Sequence, residues 1–188
     1  MKHLFCTAAL ALILLPGAAL ANRVFITNER SNDVTVLDGE SFEVIGTYPV
    51  GNRPRGITIS PDGSELYVCA SDDDTVRVFD PETMQEMHTL PSGPDPELFV
   101  LHPSGNPLYI ANEDDNLVTV VDVQTRQVLA EIPVGVEPEG MGVSPDGRYV
   151  VNTSETTNMA HFIDTETYEI VANVIVDSRP RFAQFTAD

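Results

Sequence analysis

Four short segments carry charges in like-sign pairs around a proline: Arg53-Pro54-Arg55, Asp95-Pro96-Glu97, Glu137-Pro138-Glu139 and Arg179-Pro180-Arg181. Paired guanidiniums suit a planar carboxylate, because each donates two parallel hydrogen bonds. Paired acids suit Ca²⁺, or a cationic or hydroxylated ligand. Asn112 and Glu113 belong to a second set of polar segments, with Asn28, Glu29, 72–74 and 154–158. Two outcomes stand open. The charges converge on a ligand, or opposite charges on neighbouring units pair and fix the order of those units, since ion-pair networks mimic sites.

What places these segments is a repeat. Residues 108–149 return 42 positions earlier, again 42 before that, and once more downstream with the chain ending inside the copy. A period of this length, with four short strands per copy, predicts an all-β fold: a β-propeller of four-stranded antiparallel blades. A blade cannot bury its faces alone and needs neighbours on both sides. In the second full copy the inner strand is expected at 56–59, then 66–69, 76–79 and an outer strand at 84–90. Asp38, Asp80, Asp122 and Asp164 share one column, where a carboxylate at a strand end receives backbone N–H groups and starts a turn. Pro-Asp-Gly or Pro-Ser-Gly at 61–63, 103–105 and 145–147 marks tight hairpins.

Along the chain, the blades are expected near 24–54, 55–96, 97–138 and 139–180, with the first strand of another at 181–188. The count opens on a second strand (24–28) and closes on an inner one (181–185). That is about four blade-equivalents, and Asp188 stands where a turn glycine would follow. The expectation is an N-terminal portion of a longer ring. In such a ring the outer-to-inner connections and the second-to-third hairpins share one face at the mouth of the central channel. Arg55, Glu97, Glu139 and Arg181 then occupy one column at the channel edge.

Residues 1–21 combine Lys2, an apolar run, a Pro-Gly break and Ala19-Leu20-Ala21. This reads as a secretory signal with cleavage before Asn22, giving a periplasmic or secreted protein. The run is short for a membrane span and is interrupted, so no span is expected after its removal. The chain holds 29 acids against 10 basic residues, a formal net charge of −19. That balance argues against nucleic acid and anionic membrane as partners, which need clustered positive charge. Cys69 lacks a partner outside the leader and reads as a small buried hydrophobe.

Motifs of fixed chemistry are missing from the sequence. There is no Cys-x-x-Cys-His, His-Glu-x-x-His, Walker loop, EF-hand or Gly-x-Ser-x-Gly. His88, His102 and His161 fall in different columns, which disfavours a shared metal. No cofactor, metal ligand set or catalytic residue is assigned.

The segments LYVCA, LYIAN, VTVVD, IPVG and VSPDG resemble the YVTN-type β-propeller family of secreted proteins, in the seven-bladed class. The absence of Trp separates the chain from WD repeats. A narrower resemblance rests on GPDPELF (93–99), EDDNLVTVVD (113–122), VGVEPEGM (134–141) and VVNTSETTNMAHFID (150–164). These are similar to periplasmic propellers associated with PQQ-dependent alcohol catabolism. The resemblance implies a binding or scaffold protein auxiliary to a periplasmic quinoprotein dehydrogenase, with that partner or a small carboxylate at the channel mouth. The alternative is a metal-assisted, lactonase-like hydrolase using the mouth acids.

Overall fold

In the computed structural model, residues 22–187 are described; the expected leader (1–21) and Asp188 lie outside them. The first sheet has three strands, β1 (Arg23–Asn28), β2 (Asp33–Asp38) and β3 (Val44–Pro49). Three four-stranded antiparallel sheets follow. The second holds β4 (Pro54–Ile59), β5 (Leu66–Ala70), β6 (Thr75–Phe79) and β7 (Glu86–Pro91). The third holds β8 (Pro96–Leu101), β9 (Leu108–Asn112), β10 (Leu117–Asp122) and β11 (Gln127–Pro133). The fourth holds β12 (Pro138–Val143), β13 (Tyr149–Ser154), β14 (Met159–Asp164) and β15 (Ile170–Ile175). Each sheet is an up-and-down meander, and the inner strands β4, β8 and β12 pack side by side. This is propeller architecture.

The core lies between the blades. All five residues of β5 and of β9 are buried. Because side chains alternate across a strand, each strand feeds two interfaces. Leu66 and Val68 join Val34, Val36 and Val50 against the first blade, while Tyr67 and Cys69 face Leu108 and Ile110 of the third. Tyr109 and Ala111 in turn meet Met141, Val150 and Ile163 of the fourth. Cys69 is buried, and that burial holds its thiol well above the ordinary range.

Turns close as their side chains dictate. Asp38, Asp80, Asp122 and Asp164 each accept backbone N–H groups two and three residues on, at 2.7–3.1 Å. Gly63, Gly105 and Gly147 take φ of +75°, +89° and +76°, which the hairpins require.

Two expectations are corrected. The inner strands begin at the prolines, two residues before the predicted start. Proline is tolerated as the first residue of a strand. Second, 181–185 is not a strand. An inner strand is held by the second strand of its own blade, and the described residues contain none beyond it. The segment still runs beside β12: a Cβ at Gly140 or Gly142 would fall 2.7 Å from Phe182 N or Ala183 O.

Candidate functional site at the channel mouth

The mouth is built from the backbone outwards. Arg53, Asp95, Glu137 and Arg179 take left-handed φ of 52°, 47°, 59° and 58°. Non-glycine residues rarely hold this conformation unless neighbours impose it. Here a column of amide and carboxylate side chains does so. Asn32, Asp74, Asn116 and Asn158, themselves left-handed, accept the N–H of Arg53, Asp95, Glu137 and Arg179 at 2.9, 3.1, 3.1 and 3.0 Å. The carbonyls of Arg53, Asp95 and Glu137 accept from the N–H groups of Ser71, Glu113 and Glu155. The loops at Arg53, Asp95 and Glu137 are thereby each bound to two hairpins, the preceding blade's through the side-chain tether and their own blade's through the backbone.

After the proline, each inner strand carries a bulge: the register slips between Pro54 and Ile57, Pro96 and Phe99, and Pro138 and Gly140. Arg55, Glu97 and Glu139 sit in these bulges. An extra residue there leaves the ladder and re-aims its side chain.

The arginines and acids meet. The Arg53 guanidinium donates to Asp95 at 2.7 Å, Glu97 at 3.1 Å and Glu29 at 3.3 Å. Arg55 reaches Glu29 at 3.4 Å and lies 2.5 Å from Glu97 Oε2, in ionic contact without an aligned hydrogen bond. Glu97 has no exposed surface. At the other end Arg179 and Arg181 clamp Glu155, and Arg181 also reaches Glu139 at 3.3 Å. Glu137 accepts from the Thr156 hydroxyl. All eight charges flanking the prolines therefore have a partner, and the contacts of Arg53 and Arg55 with Asp95 and Glu97 cross from the second blade to the third.

Burial pushes the Glu97 carboxyl up to about 8; Arg55 and Arg53 oppose the rise, and Asp95 and Glu113 add to it. Burial and a hydrogen bond to Glu155 raise Glu139 to about 7. Glu155 moves the other way, lowered chiefly by its hydrogen bond from Arg181. Glu139 and Glu155 thus form a contacting pair whose carboxyls are pushed in opposite directions. Glu155 was read only as part of a polar segment. Its column, 42 residues apart, holds Glu29, Ser71 and Glu113, which is the signal that would have singled it out.

Asn112 stands apart from the charged cluster. Fully buried, it donates to Ser92 and the Gly93 carbonyl and accepts from Thr119, so it ties the connection between the second and third blades to its own strand pair. Glu113 does approach the acids: Asp95, Glu97 and Glu113 can bring one oxygen each within 4.8 Å of one another. A divalent cation fits poorly there, because Arg53 already bridges Asp95 and Glu97 with positive charge.

Comparison with known proteins agrees with the architecture. Residues 19–132 match the family described as "Lactonase, 7-bladed beta-propeller". A solved structure of hydrazine synthase from Kuenenia stuttgartiensis is similar, with a TM-score of 0.75 and 28% identity over 81% of this chain. The match spans 45% of that structure's chain. No curated protein sequence matches.

Proposed function

The chain belongs to the lactonase, 7-bladed beta-propeller family, and from that premise we propose that it is a binding propeller whose loop face at the channel mouth docks a protein partner. Fold membership alone assigns no activity, so the reading rests on the site. The observation that carries it is a division of charge. The four mouth arginines are engaged by carboxylates of the chain itself. Asp114 and Asp115, on a hairpin tip of the same face, stay exposed and carry no ion pair or side-chain hydrogen bond among the described residues. A small carboxylate would have to displace Glu97 from two guanidiniums. A basic protein surface meets free acids without disturbing any pair.

The resemblance of 93–99, 113–122, 134–141 and 150–164 supports the narrower assignment, a periplasmic protein auxiliary to PQQ-dependent alcohol oxidation with the quinoprotein dehydrogenase as partner. Binding to such a purified dehydrogenase, followed by calorimetry, is expected to weaken about tenfold between 50 and 200 mM salt. It should be lost when Asp114 and Asp115 are both changed to Lys. Affinity indifferent to both changes would refute docking through this face.

Hydrolysis of a lactone is the second reading, favoured by the Glu139–Glu155 pair. Two carboxyls pushed apart in proton affinity are the usual arrangement of an acid and a base. Glu139 would give its proton to the departing alkoxide and Glu155 would draw a proton from water. Acid release from simple lactones, abolished by Glu139→Gln and indifferent to EDTA, would support this reading. Absence of turnover across the panel would remove it.

A further inference from the structure

On the face opposite the mouth, the seam between the third and fourth blades opens into a cleft of about 550 Å³. Among its lining residues are His102, Pro107, Tyr109, Asp146, Arg148 and Glu166. That volume is within the range of small-molecule sites. The mouth chemistry uses none of these residues.

The neighbouring seam, between the second and third blades, is an internal control, since each position has a counterpart 42 residues earlier. There, Tyr67 donates its hydroxyl to Glu65. In the next repeat Pro107 takes the place of Glu65, and the Tyr109 hydroxyl, in a residue with no exposed surface, has no hydrogen-bond partner in the chain. A buried hydroxyl left unpaired costs about 1–3 kcal/mol, so such groups call for a reason. At the edge of the earlier seam the Asn106 side chain is held within its own blade, donating to Asp122 at 3.1 Å and accepting the Val123 N–H at 3.0 Å. Its counterpart is Arg148, whose side chain makes neither bond; its backbone carbonyl instead accepts the Thr165 N–H at 3.1 Å. The Arg148 guanidinium lies over the Tyr149 ring at 5.0 Å, and among the described residues it has no ion pair. The wall is nonetheless firm: the Gly147 carbonyl receives His102 Nε2 at 3.0 Å and the Thr165 hydroxyl at 2.7 Å.

We propose that this cleft binds a neutral, hydroxyl-rich ring, a mono- or disaccharide. Its polar groups alternate in sign, with Arg148 donating and Asp146 and Glu166 accepting, and every sugar hydroxyl can do both. An anion meets two carboxylates, and a cation meets the guanidinium. Pro107 offers an apolar surface to a ring face, and Tyr109 lies beneath with its hydroxyl unmatched. The site is distinct from the channel mouth and does not depend on the function proposed there.

The test is saturation-transfer NMR on the full chain with glucose, galactose, mannose and maltose, with gluconate and glucosamine as charged controls. At least one neutral sugar should give saturable transfer. Arg148→Ala and Tyr109→Phe should each weaken it about tenfold, equal to one lost polar contact, while Glu139→Gln at the mouth leaves it unchanged. Sugars also stabilise folded proteins by exclusion, without a site; such an effect would ignore both cleft variants. No transfer to any neutral sugar, transfer unaffected by both variants, or equal binding of gluconate would overturn the proposal.

Discussion

Asn116 gives a graded test of how the mouth is held. Its side chain accepts the Glu137 N–H at 3.1 Å, its carbonyl accepts the Val134 N–H at 3.0 Å, and its φ is +57°. Three replacements separate these roles. Asn116→Asp keeps the acceptor and tolerates the conformation, as Asp74 does one repeat earlier, so stability should change little. Asn116→Gly keeps the conformation and loses the acceptor, at a cost of about 1 kcal/mol for the hydrogen bond. Asn116→Ala loses both; the left-handed penalty adds about 1–2 kcal/mol, for a total near 2–3 kcal/mol. For a domain of this size, each kcal/mol lowers the melting temperature by about 2–4 °C. Thermal and urea unfolding should therefore rank the variants Asp, Gly, Ala, with the last about 4–12 °C below the parent. Equal losses in the Ala and Gly variants would refute the conformational argument. A loss in the Asp variant matching that in Ala would refute the tether.

Three further outcomes follow from the same geometry. Glu97 and Glu139 are raised above their unfolded values, so the stability they contribute is full below about pH 4.5 and is lost as pH rises through about 7 to 8; the melting temperature should fall over that window, and less steeply in a Glu97→Gln, Glu139→Gln double variant. Asp62 runs the opposite way, lowered to about 2 chiefly by the Ser60 hydroxyl, so its contribution is present above about pH 3.8 and disappears as pH falls toward 2, a limb that Asp62→Asn should flatten in acid titration. Arg53→Ala removes the guanidinium that joins Asp95 and Glu97 to the second blade and should cost about 3 kcal/mol in urea unfolding; a loss under about 0.5 kcal/mol, as for an exposed ion pair, would show that Arg53 does not support the blade junction.

Much of the architecture was legible because it repeats. Apolar alternation, the Asp column and the Pro-x-Gly hairpins each recur every 42 residues and act within one blade, so local chemistry predicts them. The strand bounds shifted at Pro54, Pro96 and Pro138 because the bulge that follows each proline lets the ladder start earlier, and no residue type announces a bulge. The left-handed conformation of Arg53, Asp95, Glu137 and Arg179 was hidden for a related reason. Their own side chains give no sign of it; the cause is an Asn or Asp 21 residues upstream. Which charges pair depends on how blades abut, so the clamp of Arg179 and Arg181 on Glu155 and the unmatched Tyr109 hydroxyl emerged only in three dimensions.

The spans of these contacts carry a consequence for how such a chain can change. The backbone bonds from Ser71 to Arg53 and from Glu113 to Asp95 close within one blade, and the Asn32 and Asp74 tethers recur in the same form at each junction. The ion pairs from Arg53 to Asp95 and Glu97 reach into the next. Form is thus inherited by each unit, whereas adjacency is negotiated between units. A duplicated second blade would fold to the same shape, yet it would set Arg53 and Arg55 against copies of themselves. Recombination of these repeats is therefore free in shape and censored in charge, and the order of the blades is a selected message written on a tolerant scaffold.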